Sequence, residues 1–593
     1  MRKRNIAFGL GLLLMAISLP ACAKAEKNPA ASEGPTAVEA TDAADAMEKE
    51  AGTEQNIGED VSGNGDGTEA DTSSQGSDEQ SVQHIPITVE TRGLSARKPG
   101  SYATMAQCDY FTLVLDEETA NQYPALQRAF VQKAKDDTAR AQKTVDELSE
   151  EYQELSDNAS EFDSVLSDSV KPHVMRSDSR IVSILCEGDN YLGGAHGYYW
   201  TYGLNYDPAS GQELQLSDVV PKKEKLIELV RDKFEAQYTN GDYSNMLMNA
   251  GEYLTTLGEE EYETTPWMMD SESITLFFAP YVLGTYADGE QNISIYFDEA
   301  PEIFDAKYLD SCAEYVIPLL PARRYETNAG GGKRMEVTVD FDYNDEYGAY
   351  TREYVIGNTH IRPESYSYSS DSYIVYAAGK HYLYTFASAE NDYSMLEVVD
   401  VDTKTLDESR TLNAGLYVPD YTWDEGETYD ASCMSGPVFT DPADVALSRR
   451  LEVLGTTNGY RSYHVGDDGY PVANDEFYTI TTSFAIRAKK DLELDIVDES
   501  GKKTGTKRVS AGTYLFDMRT DSESFVDLQT IDDAALEISG ESDWKSFRIP
   551  DRSTNHIDLT KPIYRVEVDN SDWPFLVNGV EEDTLFEGIM YAG

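Results

Sequence analysis

The chain has 593 residues, with 108 acidic against 48 basic side chains, a formal charge of −60 and a pI near 4.3. So acidic a molecule repels nucleic acid and anionic lipid and favours cationic partners. The length allows two to four domains with ample core, and 40 tyrosines suit β-rich sheets and carbohydrate- or protein-binding surfaces.

Met1-Arg2-Lys3-Arg4 precedes an apolar stretch from Ile6 to Leu19, and Leu19-Pro20-Ala21-Cys22 follows. A charged start, a short apolar segment and small residues at a cut predict a secretory signal over 1–22. The apolar run is shorter than the ~20 residues that a membrane span needs. Leu19-Pro20-Ala21-Cys22 resembles the bacterial lipobox, which implies that Cys22 is lipidated and that this lipid is the membrane attachment, outside the cytoplasm. Residues 23–84 have no aromatic side chain and are rich in Ala, Gly, Ser, Thr, Glu and Asp. That composition cannot bury enough apolar surface to offset ordering, so it predicts a disordered acidic tether.

Over 85–325 the pattern predicts an α+β module. Ile85–Val89 and Phe111–Leu115 read as strands. A long amphipathic helix starts near Tyr123 with Pro124 in its first turn, and Leu126, Phe130, Val145, Leu148 and Tyr152 mark its apolar stripe. Ser179–Cys186 reads as a buried strand, Gly193–Gly197 as a tight turn, and Tyr198–Tyr206 as an alternating strand whose Tyr198, Trp200 and Tyr202 belong to a core face. A second helix over Lys222–Tyr238 and strands at Ile274–Phe278 and Ile293–Phe297 complete the region.

Arg176-Ser177-Asp178-Ser179-Arg180-Ile181-Val182-Ser183, Gly193-Gly194-Ala195-His196-Gly197, Phe278-Ala279-Pro280-Tyr281 and Tyr286-Ala287-Asp288-Gly289 follow one another in order. Together they resemble the RsiV/PdaC-like extracellular domains (DUF4163/DUF3298-type), known from a lysozyme-sensing anti-sigma factor and from beside a peptidoglycan deacetylase domain. The resemblance spans roughly 85–300. It implies an extracellular α+β module that binds lysozyme in one member and has no chemistry of its own. Carried to binding, it implies contacts from the turn with Gly193, Gly194 and His196 and from Pro280, Tyr281 and Tyr286. Glycines let a partner's backbone approach, and tyrosines offer large contact area at small entropic cost. The alternative is that Tyr281 and Tyr286 pack against the second helix.

Ala329–Lys333 is the candidate boundary, followed by a β-rich region over 330–475 with short strands such as Tyr373–Tyr376, His381–Phe386 and Met395–Val399. Over 476–593, Leu492–Ile496, Lys507–Val509, Thr513–Phe516 and Phe525–Leu528 have the strand spacing of an SH3-like barrel.

Catalytic signals are missing. There is no G-x-S-x-G, Walker loop, H-E-x-x-H or H-x-x-x-H, and the seven histidines are scattered singly. No cofactor, metal or catalytic residue is therefore expected, and the deacetylase chemistry of the relative lacks its histidine pair. Asp340, Asp342 and Asn344 imitate an EF-hand start, but Asp345 and Thr351 stand where Gly and Glu belong. His196 reads either as a ligand or base, or as a turn histidine bonded to nearby backbone; with no partner acid, His or Cys in the sequence around it, the second reading is favoured. The sequence thus points to a lipid-anchored envelope protein that binds lysozyme or another wall-related ligand. The rivals are an accessory or enzyme of peptidoglycan processing and a structural envelope lipoprotein.

Overall fold

The computed structural model describes residues 81–593 apart from 159–161, 239–252, 254–258, 321–322, 324, 329–333, 346–347, 389–392, 419, 427–428, 482–483, 542–543, 551–557, 559 and 592–593. The predicted signal, Cys22 and nearly all of the predicted tether lie outside the described residues, as does the Gly330–Gly332 break.

In the first module, β1 (Thr88–Arg97) and β2 (Thr104–Val114) form an antiparallel pair, followed by α1 (Glu117–Gln122) and the 35-residue α2 (Pro124–Asn158). Asp116 caps α1 by accepting from Thr119 N at 2.8 Å, and Pro124 opens α2 where a missing N–H costs nothing. β3 (Leu166–Ser177) returns parallel to β2, and β4 (Val182–Tyr191) and β5 (Tyr198–Tyr206) add antiparallel strands.

The stripe read from sequence is the buried one: Leu126, Phe130, Val145, Leu148 and Tyr152 are all covered. Leu126 and Phe130 share a core cluster with Val174, Ile184, Cys186, Leu204 and Tyr206, which stand on one face of β3–β5. The opposite face of the sheet is turned away from α2.

Helices α3 (Leu216–Val219) and α4 (Lys223–Tyr238) follow. Leu226, Val230 and Phe234 of α4 pack on the three-stranded sheet β6 (Trp267–Met269), β7 (Ser273–Phe278) and β8 (Gln291–Tyr296).

Everything beyond is β-rich, so the chain is an α+β module followed by a strand-dominated region. The expected boundaries do not separate sheets. Tyr315–Leu319 pairs with Ser369–Ala377, Tyr325–Thr327 pairs with Met335–Asn344, and Tyr478–Thr481 pairs with Thr456–Val465. The hairpin Asp420–Glu425/Asp430–Pro437 leaves the second region and adds two strands to the first, through β1, giving a seven-stranded sheet. The strands expected to resemble an SH3 barrel exist, within a branched sixteen-stranded sheet whose Lys503–Val509 strand ends the ladder. No closed barrel forms among the described residues. Asp340 and Asp342 lie within the strand Met335–Asn344, paired to Glu353 and Thr351, which is incompatible with a calcium loop.

A half-buried acid ties the two regions. Glu272, in the β6–β7 turn, accepts from Tyr315 Oη at 2.9 Å and Tyr325 Oη at 2.7 Å, and lies 3.1 Å from His381 Nε2. Cys108, Cys186, Cys312 and Cys433 are free thiols.

Candidate binding surface

Two loops far apart in sequence meet at one end of the β4–β5 hairpin. The first joins β4 to β5. Gly193 there has a φ of +84°, a left-handed conformation that favours glycine, and a Cβ at that position would sit 2.6 Å from Leu155 Cδ1. A Cβ at Gly197 would sit 2.4 Å from Asn190 O. Both glycines therefore serve the turn's own packing, whereas Gly194 is exposed and open.

The second loop joins β7 to β8. Val282 N donates to Ala279 O at 3.1 Å, closing a β-turn with Pro280 and Tyr281 at its centre. Pro280 is buried, so this candidate contact anchors the turn from below and does not project. Tyr281 has a φ of +72° and is 67% exposed. Glycine or asparagine is the usual occupant of a left-handed turn position, and a tyrosine there carries strain of about 1 kcal/mol or more. Leu283, fully buried, pins the loop. Asp288 then accepts from Thr285 N and Oγ1, both at 2.7 Å, and these hydrogen bonds hold its carboxyl below the usual range.

Tyr286 joins the loops. Its hydroxyl donates to Gly197 O at 3.1 Å, and its ring stacks on His196 with centroids 4.5 Å apart and planes 28° apart. Tyr199 of β5 lies 5.8 Å from it and Tyr281 lies 6.1 Å from it. His196 Nδ1 is 2.9 Å from Gly197 O; a carbonyl only accepts, so that nitrogen carries the hydrogen. The residue is thus a turn histidine bonded to nearby backbone. Tyr286 meets the glycine turn, and neither tyrosine forms a ring contact with α4 among the described residues. Trp200 and Tyr202 pack on the core as expected, but Tyr198, beside the turn, is 44% exposed, and Leu192 is 53% exposed.

Behind Tyr199 stands Glu290. Burial pushes its carboxyl up to about 7, with the Thr201 hydrogen bond opposing and the Glu187 charge adding, and its Oε2 has no hydrogen-bond partner. Burial also acts on Glu187, but the His173 hydrogen bond at 2.7 Å and its charge pull that carboxyl below its usual range. The surface is therefore a cluster of Tyr and His rings backed by acids, suited to stacking and cation–π contact. Sequence reading found the two loops but missed Tyr199 and Glu290, which only the strand pairing brings alongside. Among the described residues no group of His, Cys, Asp and Glu could hold a metal ion.

Two solved structures of DUF3298 family proteins are similar to part of this chain. One, from Bacteroides fragilis NCTC 9343, is 20% identical, and the match covers 38% of this chain and 93% of that chain at a TM-score of 0.27. The other, from Pseudomonas aeruginosa PAO1, is 18% identical and covers 38% of this chain and 97% of that chain, also at 0.27. No family model matches the chain, and no curated protein matches it.

Proposed function

We propose that this chain is a lipid-anchored envelope protein whose N-terminal module binds a cationic protein ligand, lysozyme being the example that the resemblance supplies, and that it performs no catalysis. The observation that supports binding most is Tyr281: exposed and on strained backbone, its ring lies 6.1 Å from that of Tyr286, which stacks on His196. Strain at an exposed residue is retained where something outside the fold uses it. The net charge of −60 supports a cationic partner.

The test is lysozyme binding by the full-length protein at low ionic strength, where charge attraction is strongest. Tyr281→Ala and Tyr286→Ala should each weaken binding by about 1–3 kcal/mol, with the melting temperature nearly unchanged for Tyr281→Ala. Absence of binding by the wild-type chain at micromolar concentration overturns the proposal. The anchor has its own test. Cys22→Ala should leave the protein uncleaved or release it to the medium, and a membrane-bound variant with unchanged mature mass would refute lipidation.

A further inference from the structure

The face of the seven-stranded sheet turned away from α2 carries a straight row of side chains, one from each strand. Register places Trp423 opposite Ser432, Ser432 opposite Gly93, Gly93 opposite Asp109, Asp109 opposite Ser169, and Ser169 opposite Asp189, which faces Tyr199. Directly opposed residues share one face, and at ~4.8 Å per strand the row is roughly 29 Å long.

Its chemistry is orderly. The two ends are aromatic: Trp423, 51% exposed, on the edge strand, and Tyr199, beside Tyr286, at the other edge. Between them lie hydroxyls and carboxylates at half-buried or exposed positions. Ser169 Oγ donates to Asp189 Oδ1 at 2.5 Å, and Gln107 Nε2 donates to Asp109 Oδ2 at 2.7 Å. Gly93, in mid-strand, keeps the centre low: a Cβ there would lie 2.6 Å from Ser432 Oγ and 2.8 Å from Asp109 Oδ1. Glycine weakens a strand interior and marks a site of close approach.

The row is also short of positive charge. Among the described residues neither Asp109 nor Asp189 has an ion-pair partner, while Arg97 is engaged by Asp430 at 2.5 Å and His173 is hydrogen-bonded to Glu187 at 2.7 Å, leaving the exposed Lys171. Burial holds the Asp109 carboxyl above its usual range, with the Asp189 charge adding to it against the Gln107 hydrogen bond.

We propose that this face binds an extended glycan carrying free amino groups, laid across the strands. Aromatic ends stack on the apolar faces of sugar rings, the serines and carboxylates bond hydroxyls, and the uncompensated acids take the ammonium groups. The proposal goes beyond the protein-binding reading: its occupant is a saccharide, and only Tyr199 touches the Tyr281–Tyr286 cluster.

The experiment is calorimetric titration of the full-length protein at low salt with chitosan oligomers, N-acetylated oligomers of equal length, and oligolysine. The amino oligomers should bind, the N-acetylated ones about tenfold more weakly or worse, and Trp423→Ala and Asp189→Asn should each cost about tenfold in affinity. The melting temperature should hold, because both side chains face solvent. If Trp423→Ala fails to fold, Asp189→Asn and Ser169→Ala carry the comparison. No binding of the amino oligomers, affinity unchanged in the variants, or oligolysine bound as tightly and lost with the same substitutions overturns it, the last by making the face a peptide site.

Discussion

In the N-terminal module Tyr281 stands exposed on a left-handed backbone, whereas in the C-terminal sheet Phe477 and Phe525 are covered by arginines that an aspartate holds in place. Asp527, fully buried, accepts from Arg519 Nε at 2.7 Å and from Arg565 Nε and Nη2 at 2.7 and 2.8 Å. Arg519 continues to Asp498 O at 2.9 Å and Arg565 to Gly501 O at 3.1 Å. Around Asp527 charged and aromatic groups are consumed by one another, holding strands and turns together. Around Tyr281 the rings stay at the surface. The contrast separates side chains that serve the fold from those left to serve a ligand.

The comparison breaks most easily at Asp527. Asp527→Ala leaves two partly covered guanidinium groups without their counter-charge and should destabilise the chain by about 3–5 kcal/mol in denaturant titration. Lysozyme and glycan binding by the folded fraction should be unaffected; an undiminished stability would mean that the cluster holds nothing together.

Asp517, in the same sheet, is the reverse case. It is buried with Oδ1 unpartnered, and burial pushes its carboxyl up to about 8 from 3.8. A folded-state value above the unfolded one favours the protonated form, so this contribution to stability is complete below about pH 4 and is lost as pH rises through 8. Between pH 5 and pH 9 the wild-type chain should lose about 2–4 kcal/mol more than Asp517→Asn, measured as the difference between their unfolding free energies. Parallel pH dependence in the two proteins would show Asp517 to be solvated.

The smallest effect is the sharpest. Tyr281→Gly removes the strain at a φ of +72° and should raise stability by about 1 kcal/mol while lowering ligand affinity. A variant that loses stability instead would put Tyr281 among the fold's own supports.

Long, locally encoded features were legible. Pro124 and the stripe Leu126–Phe130–Val145 mark α2, and the alternation through Tyr198–Tyr206 marks β5. β3 was not legible, since Lys171, Pro172 and His173 interrupt its apolar pattern, nor was the hairpin Asp420–Pro437, whose polar strands are specified by a partner in the other region. Nor was the pairing of Tyr315–Leu319 with Ser369–Ala377, which joins residues some 55 positions apart across the expected 325–330 boundary. Of the candidate surface, the two loops could be read from their turn residues, while the burial of Pro280 and the approach of Tyr199 and Glu290 depend on register.

That borrowed hairpin also dictates an order of events. β1 meets its second neighbour only when a segment some 333 positions further along arrives, as in the Arg97–Asp430 contact. A chain emerging from its N-terminus can build α2 and the β1–β5 sheet early, but β1 then waits with a bare row of amides and carbonyls. Maturation of the first module is thereby tied to synthesis of the second. A fragment cut at residue 325 would lack the strand that covers that edge.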